Sequence, residues 1–343
     1  MPTTQHSLGR FLIIQTASIG DVILATPVAE KLHSFYPHAS IDMLVKKGNE
    51  PLFDRHPFIR KILVWDKRRA KYQNLLKLIK IIRSEQYDCV INIQRFASSG
   101  FITALSGAPL KLGFDKNPLS VLFNVRIKHQ IGTGSKHEIE RNLQLIESIT
   151  DRSNKMPRLY PDSSVYASVL TYKQMPYITI SPASLWFTKQ FPEERWAEFV
   201  GQLNSNVEVY FLGAPADTAL CDRIIAAASH QLSVNLAGRL SLLQSAALMK
   251  DAIMNYVNDS APMHLCSAVN APTTAVYCST IPEFGFGPLA DDSVVVQVES
   301  GLYCRPCGLH GYQACPEKHF KCAYDTDISL LINRISDKFN QTD

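Results

Sequence analysis

Thr16–Leu32 reads TASIGDVILATPVAEKL and directly follows the apolar run Phe11-Leu12-Ile13-Ile14. A short continuous apolar run bounded by a turn fits a strand buried on both faces of a parallel sheet. A tight turn at Ile19-Gly20 then leads into a helix whose apolar positions run Val22, Leu24, Val28 and Leu32. Gly20 lets the backbone turn sharply or approach a ligand closely. Asp21 stands at the helix mouth, just past the carboxyl end of the strand, where open α/β sheets place their chemistry. The plain alternative is a helix cap, since Asp suits the positive end of the helix dipole. The residues alone leave both readings open.

Working outward, strand-like and helix-like segments alternate through all 343 residues, which predicts an α/β class and two domains. The first half carries strand candidates at Phe11–Gln15, Ile41–Val45, Lys61–Val64 and Cys89–Ile93, with helices starting near Asp21, Pro51 and Tyr72. Ser98–Leu105 fits a further helix, stopped by Ser106-Gly107-Ala108-Pro109. A Ser-, Pro- and Asp-rich linker spans Asp151–Lys173. Beyond it, strands are expected at Tyr177–Ile180, Val207–Leu212, Ile253–Val257 and Thr273–Cys278. Helices are expected at Glu193–Leu203, Asp217–Ser229, Ser241–Lys250, Pro262–Val269 and Asp325–Phe339. The domains are therefore drawn at 1–170, 171–324 and a closing helical segment 325–343. Residues 131–136, IGTGSK, lack the Walker spacing and are not a P-loop.

Composition is that of an ordinary globular protein, 46% hydrophobic and 19% charged. No apolar run approaches the roughly 20 residues needed to span a bilayer. The start, MPTTQHSLGR, lacks the cationic and apolar regions of a secretory signal, so a cytoplasmic protein is expected. The net charge of +4 is unevenly distributed. Residues 1–170 hold 24 Lys and Arg against 14 Asp and Glu, whereas residues 171–343 hold 11 against 17. A basic half suggests an anionic partner. Its densest stretch, Lys61–Arg83 with Lys67-Arg68-Arg69, also reads as the solvated face of a helix whose apolar stripe is Leu75, Leu76, Leu78, Ile79 and Ile82.

Ser18-Ile19-Gly20-Asp21-Val22 followed by Thr26-Pro27 resembles the N-terminal signature of glycosyltransferase family 9, the ADP-heptose:lipopolysaccharide heptosyltransferases. The likeness continues through most of the chain. It implies a GT-B fold, two Rossmann-like domains facing across a cleft, with the first binding the acceptor, the second the nucleotide sugar, and the last helix crossing back to the first. It implies transfer of a heptose or related sugar from an ADP-sugar to an anionic lipopolysaccharide core acceptor, with inversion and without a catalytic metal. Asp21 would be the general base, because a carboxylate accepting the acceptor hydroxyl's proton turns a poor nucleophile into a better one.

On the donor side, Asn258-Asp259-Ser260-Ala261-Pro262-Met263-His264 follows a strand and opens a helix. Ser260 is a natural N-cap, and the N–H groups of Ala261, Met263 and His264 would face an anion. The family pattern has glycine where this chain has Ala261. Ser181 ends a strand ahead of Trp186-Phe187-Thr188-Lys189-Gln190-Phe191-Pro192, and the resemblance assigns Thr188 and Lys189 to the donor phosphates. A fixed ammonium there stabilises the charge growing on a departing diphosphate. Asp217, after Gly213-Ala214-Pro215, stands where the family has a glutamate in its donor loop. On the acceptor side the resemblance points to Ser18 and Gly20, to Gln94-Arg95, and to Lys136-His137-Glu138 with Asn142. Arg95 and Lys136 are suited to phosphate or carboxylate groups. Asp325-Thr326-Asp327 has the spacing of a metal-binding acidic pair but sits where a helix begins, and capping explains it.

Cys304, Cys307, Cys315 and Cys322 lie in a Gly-, Pro- and His-rich loop at 301–322. Their spacing suits a structural zinc, with His310 and His319 as alternative ligands. Reduced thiols or disulfides are the other two readings. Cys89, Cys221, Cys266 and Cys278 fall on strand or helix patterns and are expected in the core.

Two other classes use the same ingredients. A nicotinamide-dependent oxidoreductase would use Rossmann halves, but no Gly-x-Gly-x-x-Gly follows any strand. A zinc-bearing nucleic-acid-binding protein would pair the basic half with the cysteines, but those lie in the acidic half, and the basic stretch lacks interleaved aromatics. The partners implied by the resemblance are an ADP-sugar and an anionic acceptor; the basic half adds the inner-membrane surface, approached peripherally by a monomer, and no nucleic acid is expected.

Overall fold

Each half of the chain builds the same six-stranded parallel sheet. The computed structural model describes residues 8–68, 71–132, 134, 136–299 and 301–340, the side chains of residues 71, 339 and 340 excepted. The expectations drawn on residues 1–7, on Arg69, and on Thr133 and Ser135 of the 131–136 run lie outside the described residues. The first sheet comprises β1 (Arg10–Ile14), β2 (Ser40–Lys46), β3 (Ile59–Trp65), β4 (Cys89–Asn92), β5 (Leu110–Phe114) and β6 (Val125–Ile127). The second comprises β7 (Tyr177–Ser181), β8 (Glu208–Phe211), β9 (Ser233–Asn235), β10 (Met254–Asn258), β11 (Thr273–Tyr277) and β12 (Ser293–Gln297).

The strand orders are β3-β2-β1-β4-β5-β6 and β12-β11-β10-β7-β8-β9, the doubly wound Rossmann order in both. In such sheets the chain winds outward in one direction and then in the other. The reversal falls between β1 and β4 in the first sheet and between β7 and β10 in the second. Phe11–Ile14 is fully buried, as helices on both faces of a parallel sheet require. Leu12, Ile14, Leu44, Trp65, Leu78 and Ile82 share one core; Ile178, Phe199, Phe211, Tyr256, Val276 and Leu331 share the other.

Contacts divide the chain at Tyr160/Pro161 rather than at 170, and group Gly132 and Gly134 with the second unit. The reason is helix Ser163–Ser168, which packs on helix Leu242–Lys250, with the Gln244 amide donating to Ser168 Oγ at 3.0 Å. The closing helix, Ser329–Asn340, belongs to the second unit. The Tyr256 hydroxyl donates to the Leu331 carbonyl at 2.8 Å, and Arg334 and Lys338 both pair with Asp292 at 2.6 Å. Asp327 takes the N–H and hydroxyl of Ser329 at 2.8 and 2.7 Å, so that carboxylate is engaged at the helix start.

The opening segment differs from expectation in two ways. Thr16–Leu32 holds two helices, Ile19–Ile23 and Thr26–Phe35, because Pro27 has no N–H to continue the first and instead opens the second. Gly20 is buried inside the first helix and has no left-handed φ, so the turn lies earlier, at residues 15–18. Ser18 is the N-cap, and this cap starts the helix sooner than the apolar spacing implies.

Candidate active site

The first unit gathers its polar groups at its topological switch point. Asp21 Oδ2 accepts the Ser18 N–H at 3.0 Å and the Ser18 hydroxyl. Among the described residues, Oδ1 of this half-buried carboxylate makes no hydrogen bond. The loop before it is braced from several strands. Asn49 donates to the Ala17 carbonyl at 3.0 Å, and Lys67 Nζ donates to the Thr16 carbonyl and hydroxyl at 2.7 and 3.0 Å. Gln94, after β4, donates to Gln15 Oε1, a bond that spans the switch point. Asn142 donates to the Leu24 carbonyl at 3.0 Å, satisfying an acceptor left free where the first helix ends.

Arg95 follows Gln94 and is half-buried; among the described residues its guanidinium forms no hydrogen bond or salt bridge. Its charge, like that of Asp21, acts on Glu138. Burial pushes the Glu138 carboxyl up from its ordinary pKa; Arg141 opposes, Asp21 adds to the rise, and Arg95 opposes. Arg141 Nε holds Glu138 Oε2 at 2.7 Å. Burial pushes His129 down to about 4, with Arg95 and Arg141 adding, so its 3.8 Å approach to Glu138 is made by a neutral ring. His137 is the N-cap of helix Glu138–Gln144, its Nδ1 accepting the Ile139 N–H at 3.3 Å, and the side chain of Lys136 is exposed. Sequence reasoning missed Arg141 and His129. A basic residue three positions after a glutamate in a first helical turn was the available signal for Arg141, and nothing local marked His129.

In the second unit, Lys189 comes from the loop after β7 and Asp259 from the loop after β10, two strands that pair directly. Lys189 Nζ meets Asp259 Oδ2 at 2.7 Å, with side chains only 14% and 9% exposed. Thr280, missed from the sequence, donates its hydroxyl to the same oxygen at 2.6 Å. The pair thus closes over the second switch point. Asn258, fully buried beneath it, accepts the Phe191 N–H at 3.0 Å and donates to the Pro182 carbonyl at 2.7 Å, tying the two loops together.

Other donor-side expectations fare unevenly. Ser181 is buried at the strand end, its Oγ without a partner among the described residues. Ser260 does cap helix Ala261–Val269 by position, but its hydroxyl turns to the Asn258 carbonyl at 3.4 Å instead of the helix N–H groups. Pro262 lies in the first turn and His264 is buried. The Met263 N–H is taken by the Ser260 carbonyl at 3.1 Å, and its side chain lies in the core, so Met263 does not offer the free donor expected of it. Asp217 accepts the Ala214 N–H at 2.7 Å and closes its own turn.

Thr188 is fully buried, and its partners are protein atoms. Its Oγ1 accepts the Tyr312 N–H at 2.7 Å and the Ser279 hydroxyl at 3.0 Å, and its N–H donates to the Tyr312 carbonyl at 3.1 Å. These bonds carry the cysteine-rich loop. Gly311 sits against them with φ of +74°; a Cβ there would lie 2.8 Å from Thr188 Oγ1, 3.0 Å from Ser279 Oγ and 3.1 Å from Lys189 Cγ. Gly311→Ala is therefore expected to lose roughly 1–2 kcal/mol of stability from the left-handed backbone alone. It should also displace Lys189, whose Cγ lies 3.1 Å from that Cβ. Thermal unfolding is the measurement, and an unchanged melting temperature would refute the bracing.

The four loop cysteines line one cavity of about 240 Å³, with Arg305, Glu317 and His319. All eight cysteines are free thiols, and Cys89, Cys221, Cys266 and Cys278 are buried as expected. Among the described residues no three His, Cys, Asp or Glu side chains are grouped to hold a metal ion, so Cys304, Cys307, Cys315 and Cys322 do not form the tetrahedral site their spacing suggested. Burial raises the Cys322 thiol to about 12 and Cys307 above its usual value. The loop is held instead by Arg305, which donates to the Thr280 carbonyl at 2.7 Å and to Gln297 at 2.6 Å, and by the Cys307 N–H to the Ser279 carbonyl at 2.8 Å.

Two Rossmann units, each with charged groups at its switch point, are the architecture of the GT-B class of sugar transferases. The chain belongs to glycosyltransferase family 9 (heptosyltransferase), whose model matches residues 75–313. That match begins after the Ser18–Val22 segment. Lipopolysaccharide heptosyltransferase 3 of Escherichia coli K12 is 25% identical over 321 residues, 88% of each chain. Lipopolysaccharide heptosyltransferase 1 of Pseudomonas aeruginosa is 25% identical over 87% of this chain and 86% of its own. In fold, the chain is similar to E. coli ADP-heptose lps heptosyltransferase II, with a TM-score of 0.81 at 22% identity over 97% of this chain and 99% of that one.

Proposed function

We propose that this glycosyltransferase moves a heptose from ADP-heptose to a lipopolysaccharide core acceptor, in one displacement that inverts the anomeric carbon. The reading rests on the Lys189–Asp259 pair at 2.7 Å over the second switch point, in a chain whose relatives are lipopolysaccharide heptosyltransferases. Asp259 and Thr280 hold the ammonium in place before substrate arrives. The diphosphate then competes for it, and the preorganised charge strengthens its hold as the glycosidic bond breaks and the leaving group gains charge. The Ala261 N–H, at the start of helix Ala261–Val269, adds the dipole's positive end.

The acceptor hydroxyl gives its proton to Asp21, whose Oδ1 carries the open lone pairs. Arg95 and Lys136 receive the acceptor's anionic groups, and Ser18 fixes the carboxylate. Asp217 receives a donor hydroxyl. The enzyme acts as a monomer at the inner-membrane surface. No step requires a metal: the expected result is full turnover in EDTA, and a loss restored by a divalent ion would overturn that part. Thermal shifts with ADP-, UDP- and GDP-sugars and with NAD test the donor. Protection by ADP and ADP-heptose is expected, and protection by NAD alone would overturn the reading.

A further inference from the structure

The basic first unit carries an exposed apolar surface. Helix Lys71–Ser84 buries Leu75, Leu78, Ile79 and Ile82 yet leaves Leu76 68% exposed. Helix Ala97–Ala104 packs beside it and turns Phe101 outward, with Leu105 following one turn later; the two are 47% and 45% exposed. Arg83 stitches the helices together, donating to the Leu105 carbonyl at 3.4 Å. The turn at 117–122 adjoins the second helix, where Asn117 donates to the Phe96 carbonyl at 3.1 Å, and it presents Val121 and Leu122, also exposed. Neither core claims these side chains.

The charge around this surface is predominantly positive. Residues 67–84 contain no Asp or Glu, and neither do residues 89–114. Lys77 and Lys80 stand exposed on the outward face of the first helix, and Lys116 is exposed in the adjoining turn. Of the carboxylates in the segment joining the helices, Glu85 is paired with Arg60 and Lys61 at 2.7 Å, and Asp88 accepts the Gly9 and Arg10 N–H groups at 2.8 Å. Asp115 is the single acid between Asp88 and Glu138, and its Oδ1 accepts the His129 N–H at 3.1 Å.

We propose that this face, formed by the two helices and the 117–122 turn, docks the protein on an anionic lipid bilayer. Exposed apolar side chains on a soluble surface mark interaction sites, and a rim of lysines matches negatively charged headgroups. Lysine stems lie along the apolar surface while their ammonium groups reach the phosphates, the arrangement of interfacial helices. The inference deepens the proposed function, since a lipid-anchored acceptor lies in such a surface. It does not depend on sugar chemistry.

The test is co-sedimentation of the full chain with vesicles, without donor or acceptor. Phosphatidylglycerol-rich vesicles are compared with pure phosphatidylcholine, for wild type, for Lys77→Glu with Lys80→Glu, and for Phe101→Ser with Leu105→Ser. Wild type is expected to bind only the anionic vesicles and to be partly released by high salt. Reversing two charges should weaken binding by at least roughly tenfold, and the serine pair should remove the salt-resistant fraction. All variants should retain their melting transition and their donor hydrolysis or transfer to a soluble acceptor. Equal binding to neutral vesicles, or wild-type binding by both variants, overturns the proposal. So does a serine pair that dissociates a dimer in sedimentation velocity without changing vesicle binding, which would identify a second copy as the occupant. Failure here would leave the heptose-transfer reading standing, because donor protection is measured separately.

Discussion

Asp21→Asn is expected to lower kcat by roughly 10²–10⁴-fold, the usual contribution of a positioned general base, while ADP affinity stays within about twofold. The asparagine keeps an oxygen for the Ser18 N–H and hydroxyl, so the helix cap survives. Asp21→Ala removes both roles and should cost about 1 kcal/mol of stability besides, the typical worth of a cap. The two variants therefore separate the alternatives that the sequence left open. A residue that only caps gives an alanine variant that is less stable and an asparagine variant that works. A base gives two variants equally slow, differing only in melting temperature. Turnover by the asparagine variant at wild-type speed would remove Asp21 from the chemistry.

Lys189→Met should impair both donor binding and turnover if, as proposed, the ammonium held by Asp259 meets the phosphates before and during bond breaking. If binding and catalysis each lose a charge-assisted contact worth about 1.5–3 kcal/mol, kcat/KM falls by roughly two to four orders of magnitude. This variant carries a second consequence. Among the described residues Asp259, 9% exposed, then keeps Thr280 alone as a partner, and breaking one side of a buried pair can cost roughly 3–5 kcal/mol. The double variant Lys189→Met with Asp259→Asn relieves that burden. Its melting temperature is expected to recover most of the loss while kcat/KM does not. Recovery of activity together with stability would mean that Lys189 serves the fold alone.

Neither variant tests the cysteine loop, where spacing misled most. Four cysteines within nineteen residues satisfy a zinc pattern on paper. Metal binding, however, depends on the directions of the sulfur atoms, which spacing in a loop does not set. Here the loop is anchored by Arg305, Tyr312 and the close approach of Gly311 to Thr188, none of which carries a recognisable motif. The resemblance assigns Thr188 to the donor phosphates along with Lys189. Its hydroxyl is occupied by Tyr312 and Ser279, more than ninety residues away in sequence.

The sequence by itself determined that there are two parallel sheets, which residues form most of their strands, and that Asp21, Arg95, Lys189 and Asp259 come at strand ends. Those properties are local: apolar runs, turn residues and cap residues act within a few positions, so one dimension suffices to read them. Only the tertiary structure decided that the β1 and β4 ends adjoin in one unit and the β7 and β10 ends in the other, since strand order in a sheet is a property of pairing. That pairing brings Lys189 to Asp259 across seventy residues of chain. It also decided which apolar positions found a core and which, like Leu76 and Phe101, were left facing outward, because the helical period marks a face without saying what will cover it.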